Sequence, residues 1–211
     1  MVDAGIGHFP YSGRATPELP RITLPNTEMP VTLEQTEIAQ LLEPLRFFYE
    51  RAGHAVPAIE FVAPEDVPQP AHSLLVHERD MTSTLRRFHE SRIVLDVRSR
   101  EVEGDQLLRE VILRRESDRV PVEYGAISIS LDKFSGPIRD KIINGDAPLG
   151  ELIETYVVAY RSSPRGYFQV ASDAVMAGAL EVTEGSTLYG RSNELSDSDG
   201  IVFARVVEVL P

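Results

Sequence analysis

No cysteine occurs in the 211 residues, which excludes disulfides, thiolate nucleophiles and cysteine-ligated metals. No apolar run is long enough to span a bilayer. The opening MVDAGIGHFPYSGR has no basic region followed by an apolar stretch, so it does not read as a secretory signal; a soluble, cytoplasmic protein is expected. Positive charge is scarce: 21 Lys and Arg stand against 33 Asp and Glu, a formal charge of −12. That balance disfavours nucleic acid and anionic membrane surfaces as partners. An anionic small molecule would need a local cluster of arginines working against the field of the whole chain. The catalytic motifs G-x-S-x-G, the Walker loop, H-E-x-x-H and the dinucleotide fingerprint are also missing. His77-Glu78-Arg79-Asp80 lacks the second histidine of a zinc motif, and the five histidines are scattered. An enzyme built on this chain is expected to need no metal and no cofactor.

Hydrophobic periodicity organises the rest. Residues 1–31 are rich in Pro and Gly with no sustained period and read as an extended or disordered arm; residues 32–211 read as one domain. Thr32 and Gln35 have capping-box spacing, and Ile38, Leu41, Leu42, Leu45 and Phe48 recur at helical intervals up to Gly53. Pro44 inside that run predicts a kink or two short helices. Residues 54–73 read as a proline-rich connection. Asp80 is a good N-cap for a helix carrying Met81, Leu85 and Phe88. The period then changes to two: Ile93–Val102 and Gln106–Arg115 form a hairpin around Glu103-Gly104-Asp105, and Val120–Leu131 follows as a strand. Lys133–Ile143, stopped by Gly145, and Pro148–Ile153, with Pro148 in its first position, read as short helices. Thr155–Arg161 and Tyr167–Val170 read as strands around Ser163–Gly166. Leu188–Leu195 and Ile201–Leu210 make the last hairpin. Hairpins interrupted by helices predict an α+β fold on a mainly antiparallel sheet.

Alternation singles out a few charges. Arg109 shares a strand face with Leu107, Val111 and Leu113, and Glu208 shares one with Val202, Ala204, Val206 and Leu210. A charge on an apolar face is paired, neutralised or bound to a ligand, because burying it alone is costly. It can also be an edge-strand charge in water, or the two can pair with each other. Arg191, in Tyr189-Gly190-Arg191, is a third strand charge of this kind.

At these residues the chain resembles the chorismate pyruvate-lyase family and its wider superfamily, over about residues 74–211. The resemblance runs in order through Leu74-Leu75 and Asp80-Met81-Thr82, Leu107-Leu108-Arg109-Glu110-Val111, Pro148-Leu149-Gly150, Leu188-Tyr189-Gly190-Arg191, and Val206-Val207-Glu208 with Pro211. It implies an enclosed ligand pocket. Met81 would line it, Arg109 would hold a ring carboxylate in a bidentate fork, Leu149 would offer a backbone amide, and Glu208 would face the ring hydroxyl. Counted back from Pro211, the family glutamate falls at Val207; counted on from Gly200, it falls at Glu208, the one of the two that ionises. Tyr189 stands where some members have tryptophan.

The implied reaction is loss of the enolpyruvyl group and a ring proton from chorismate, giving 4-hydroxybenzoate, a precursor of ubiquinone or secondary metabolites, and pyruvate. Aromatisation drives it, so no redox cofactor is called for; Arg109 and Glu208 would be the catalytic pair, with Arg191 on the enolpyruvyl carboxylate. Two alternatives stand beside it: a related lyase with another ring substrate or regiochemistry, and a non-catalytic binding domain like the UTRA effector domains of bacterial regulators, which resemble this fold. Such domains normally follow a winged helix, and residues 1–73 are too rich in proline to supply one. The sequence leaves the oligomeric state open.

Overall fold

The computed structural model describes Met1 and residues 39–211. The arm expected at 1–31 and the Thr32 capping box therefore lie outside the described residues, Met1 excepted. Helical backbone at residues 39–41 breaks at Leu42 and resumes as α1 (Glu43–Arg51), with Pro44 in its first turn. That is the two-helix outcome: proline is tolerated where its missing N–H has no helical partner to lose.

The order continues β1 (Ile59–Val62), α2 (Ala71–Leu75), α3 (Met81–His89), β2 (Ile93–Glu103), β3 (Gln106–Arg115), β4 (Pro121–Ser130), α4 (Pro137–Asn144), α5 (Leu149–Thr155), β5 (Arg161–Ala171), α6 (Ala174–Leu180), β6 (Thr187–Ser196) and β7 (Val202–Leu210). The strands form one antiparallel sheet in the order β1-β5-β6-β7-β4-β3-β2, so the expected α+β class holds. The β2–β3 and β6–β7 hairpins fall where alternation put them.

Five expectations need correction. Residues 54–73 are not merely a connection, because they include β1, which adds to β5 at the sheet edge; a four-residue strand among prolines carries too little period to be read. Thr155–Arg161 is not a strand. The helix α5 runs through Thr155, and Val157, at φ 54°, closes it. The amides of Val157 and Val158 turn back onto the carbonyls of Glu154 and Ile153 at 3.2 and 3.0 Å, a left-handed helix stop made by β-branched residues that ordinarily signal strand. Ser163–Gly166 is a bulge rather than a turn: Pro164 pairs with Asn193 and Gly166 with Ser192, leaving Arg165 as the extra residue of a continuous β5. Here β1 has not yet joined β5, so Pro164 costs no ladder bond on that side. The helix expected from Lys133 begins instead at Pro137, and Pro148 is the residue before α5 rather than its first.

Each sheet face has its own cover. On one, Ile112, Tyr124, Ala126, Val207 and Val209 pack against α1 and α6 through Leu45, Phe48, Met176 and Leu180. On the other, two apolar clusters form under different helices. Leu107, Ile127 and Val206 meet Ile138 and Ile142 of α4 and Leu149 and Ile153 of α5; Leu113, Val122 and Leu210 meet Leu75 of α2 and Met81 and Leu85 of α3. The candidate site lies on this second face. No helix among the described residues is long and apolar enough to cross a membrane.

Candidate functional site

Beneath the short helices a cavity of about 70 Å³ opens over the middle of the sheet, several times the room a single water requires. The side chains of β3, β4, β6 and β7 floor it, the first residues of α3 and α5 roof it, and Tyr160 closes one flank. Met81, Arg109, Leu149 and Glu208 all line it. Two of them stand at helix starts: Met81 opens α3, capped by the Asp80 carboxylate, which accepts from the Ser83 amide at 2.7 Å, and Leu149 opens α5. The two helices meet closely, since a Cβ on Gly150 would lie 2.7 Å from the Asp80 carboxylate and 3.1 Å from the Thr82 hydroxyl.

Arg109 is 2% exposed. Its Nη1 donates to the Ile142 carbonyl in the last turn of α4 at 3.2 Å, where the helix end is partially negative. Its Nε has no hydrogen-bond partner among the described residues, and no carboxylate among them forms an ion pair with it. Burial, with the Arg100 charge nearby, pushes its guanidinium down to about 10, still protonated at neutral pH. A buried cation without a counter-anion is thus aimed at a cavity.

Glu208 is differently placed. Directly opposite Arg191 across β6 and β7, it forms a buried ion pair with that guanidinium. Arg191 is fully buried and also donates to the Leu75 and His77 carbonyls, both at 2.9 Å. It therefore pins the segment after α2 to the sheet, and it is not among the residues that line the cavity. Val207, the other reading of the family glutamate, lies in the core on the opposite face, as a one-residue step along a strand requires.

Sequence reasoning missed Glu123. It is 3% exposed, lines the cavity, and leaves Oε2 without a partner. Burial, and then the Glu208 carboxylate, hold its proton well above the usual carboxylate range, against the opposing pull of Arg191. Gly125 makes the space: a Cβ there would sit 3.0 Å from Glu123 Oε1 and 3.3 Å from Val111. The signal was present, since Glu123 is the one charged residue of β4. Asn193, buried and bonded to Ser162, completes the polar lining. Among the described residues no group of His, Asp and Glu is arranged to hold a metal ion.

No protein-family model matches the chain, and no curated protein matches it. Solved structures do. The chain is similar to the effector domain of PhnF from Mycobacterium smegmatis, at 13% identity and a TM-score of 0.50, over 63% of this chain and 88% of that one. The same organism's PhnF matches at 12% identity and a TM-score of 0.48, over 79% and 93%. A GntR-family transcriptional regulator from Bacillus cereus matches at 11% and 0.42, over 57% and 92%. At such identities the likeness to the effector domain is one of fold alone.

Proposed function

We propose that this domain binds a small ring-type carboxylate in the cavity, as a ligand-binding domain without chemistry of its own. The observation that carries the reading is Arg109: a buried guanidinium facing a cavity with an unpartnered Nε and no counter-ion among the described residues. A site that buries a cation without its anion is completed by a ligand that brings one, and the planar fork favours a carboxylate. Leu95, Val111, Leu113 and Leu195 on the walls suit an apolar ring. A fold shared with a regulator's effector domain supports binding as the role. Calorimetric titration with 4-hydroxybenzoate and its neutral amide tests it. The acid binds and the amide does not; Arg109→Lys weakens acid binding by roughly tenfold to a hundredfold, the value of one charged hydrogen bond, with an unchanged melting curve. Equal affinity for acid and amide in the unmutated protein would sink the reading.

A second reading, the chorismate pyruvate-lyase reaction, is favoured by the meeting of Met81, Arg109, Leu149 and Glu208 on one cavity. Arg109 would grip the ring carboxylate, and the walls would exclude water. Glu208 and Glu123 would offer the proton carriers that elimination needs. Incubation with chorismate followed by chromatography decides between the two: 4-hydroxybenzoate and pyruvate appear under the second reading, and chorismate persists under the first.

A further inference from the structure

The cavity wall carries three carboxyl groups, and they are not equivalent. Asp80, half-buried at the start of α3, accepts from the Ser83 amide and hydroxyl. Glu208 has its own cation in Arg191. Glu123 has none: no ion pair reaches it among the described residues, and its Oε2 is buried and unpartnered. Arg109 lies opposite Ile127 on β4, four residues along the strand from Glu123, about 13 Å by strand geometry. The guanidinium leans toward α4 at Ile142, whereas the Glu123 carboxyl turns into the space beside Gly125, the residue opposite Glu208. The two unsatisfied groups therefore stand toward different ends of one cavity.

We infer that Arg109 and Glu123 act as a pair that selects a singly charged ligand: one carboxylate on Arg109 and, at the far end, an uncharged oxygen that accepts a hydrogen bond from the Glu123 carboxyl. This deepens the binding function proposed above and rests on it. Charge counting carries the argument. Arg191 and Glu208 neutralise each other, Asp80 is half-buried and held at the helix start it caps, and with Glu123 protonated, as its burial beside Glu208 favours, Arg109 is the one cation left over among the described residues that line the cavity. One ligand carboxylate balances it. A second would be buried next to Glu208 with no free cation, because Arg191 is already divided between that carboxylate and the backbone carbonyls of Leu75 and His77; an uncompensated buried charge is strongly unfavourable. A ring hydroxyl or carbonyl satisfies Oε2 without adding charge, and leaving a buried donor unmade is itself costly.

The test holds the ring carboxylate constant and varies the far end, by calorimetric titration with benzoate, 4-hydroxybenzoate and benzene-1,4-dicarboxylate. The unmutated protein is expected to bind 4-hydroxybenzoate about tenfold more tightly than benzoate, the worth of one buried hydrogen bond, and the dicarboxylate more weakly than either. Glu123→Leu brings the ratio of 4-hydroxybenzoate to benzoate affinity to about one; Glu123→Gln, still a donor, keeps most of that ratio. A preference that survives Glu123→Leu overturns the inference. So does tight binding of the dicarboxylate, which needs no variant at all. Because all three probes carry the carboxylate that Arg109 meets, this comparison fails separately from the acid–amide comparison, which tests Arg109 alone.

Discussion

At the scale of single residues, the same charge has opposite meanings at two positions of the cavity face. Arg191 is spent on structure: it neutralises Glu208 and collects two backbone carbonyls at full hydrogen-bond distance. Arg109 has one carbonyl and an idle Nε. Removing the Arg191 side chain should therefore damage the fold before it touches binding. Arg191→Met leaves Glu208 buried without a cation and is expected to lower the unfolding free energy by about 3–5 kcal/mol. The double variant Arg191→Met with Glu208→Leu recovers much of that loss, since apolar replacement of both partners of a buried pair is often near neutral. Urea denaturation of the single and double variants measures both; a double variant no more stable than Arg191→Met alone would contradict the pairing. Gly190 belongs to the same junction. A Cβ on it would press into the Phe168 ring and come within 2.5 Å of the Glu208 carbonyl, so glycine there lets β6 and β7 keep the register that sets Arg191 against Glu208.

At the scale of elements, the roof of the cavity is made by short helices whose ends matter more than their middles. The helix α3 spans nine residues and α5 seven, and isolated helices of that length are unstable in water. They persist because Leu85, Leu152 and Ile153 are buried against the sheet and because Asp80 caps α3. Asp80→Ala should cost about 1 kcal/mol of stability, within a range of roughly 0.5–2. Because Met81 and Thr82 of that first turn line the cavity, it should also weaken ligand binding. Asp80→Asn or Asp80→Ser, which cap comparably, should restore both in thermal melts and titrations. Recovery of stability by the capping variants without recovery of affinity would mean that the Asp80 carboxylate itself serves the ligand.

At the scale of the whole molecule, a half-buried histidine and a buried glutamate give stability opposite dependences on pH. Burial and the neighbouring Arg191 charge lower His77 from 6.5 to about 4, so between those values the unfolded chain binds a proton that the folded chain refuses. Its contribution is present above pH 6.5 and is lost as pH falls toward 4. Glu123 runs the other way: its folded-state proton is held above the usual carboxylate range, so its contribution is complete below about pH 4.5 and is lost as pH rises through the raised value. Relative to the unmutated protein, His77→Gln is expected to gain stability progressively as pH falls from 6.5 to 4, and Glu123→Gln to gain it as pH rises above the ordinary carboxylate range. Chemical denaturation across pH for the three proteins checks both signs. Parallel curves for Glu123→Gln and the unmutated protein would show that Glu123 ionises as freely folded as unfolded.

Strict alternation along β3 and β7 was enough, in sequence, to put Arg109 with Leu107 and Val111, and Glu208 with Val206, on apolar faces, because a strand's side-chain period depends on local backbone geometry alone. The hairpins, the Asp80 cap and the helix stop at Gly145 are likewise local and were readable. Tertiary structure decided what alternation cannot reach. That Glu208 meets Arg191 while Arg109 meets no carboxylate among the described residues follows from strand order and register across β6, β7, β4 and β3, which bring together residues far apart in the chain. Glu123 is buried because helices from two separate stretches roof its strand, and Val157 stops a helix because the chain beyond it packs Val158 and Tyr160 into the core beneath α4 and α5. Periodicity told which residues share a face; the pairing of strands and the placing of helices over them determined which charges on that face were left without a partner, since an electrostatic balance depends on distances between residues that the order of the chain does not contain.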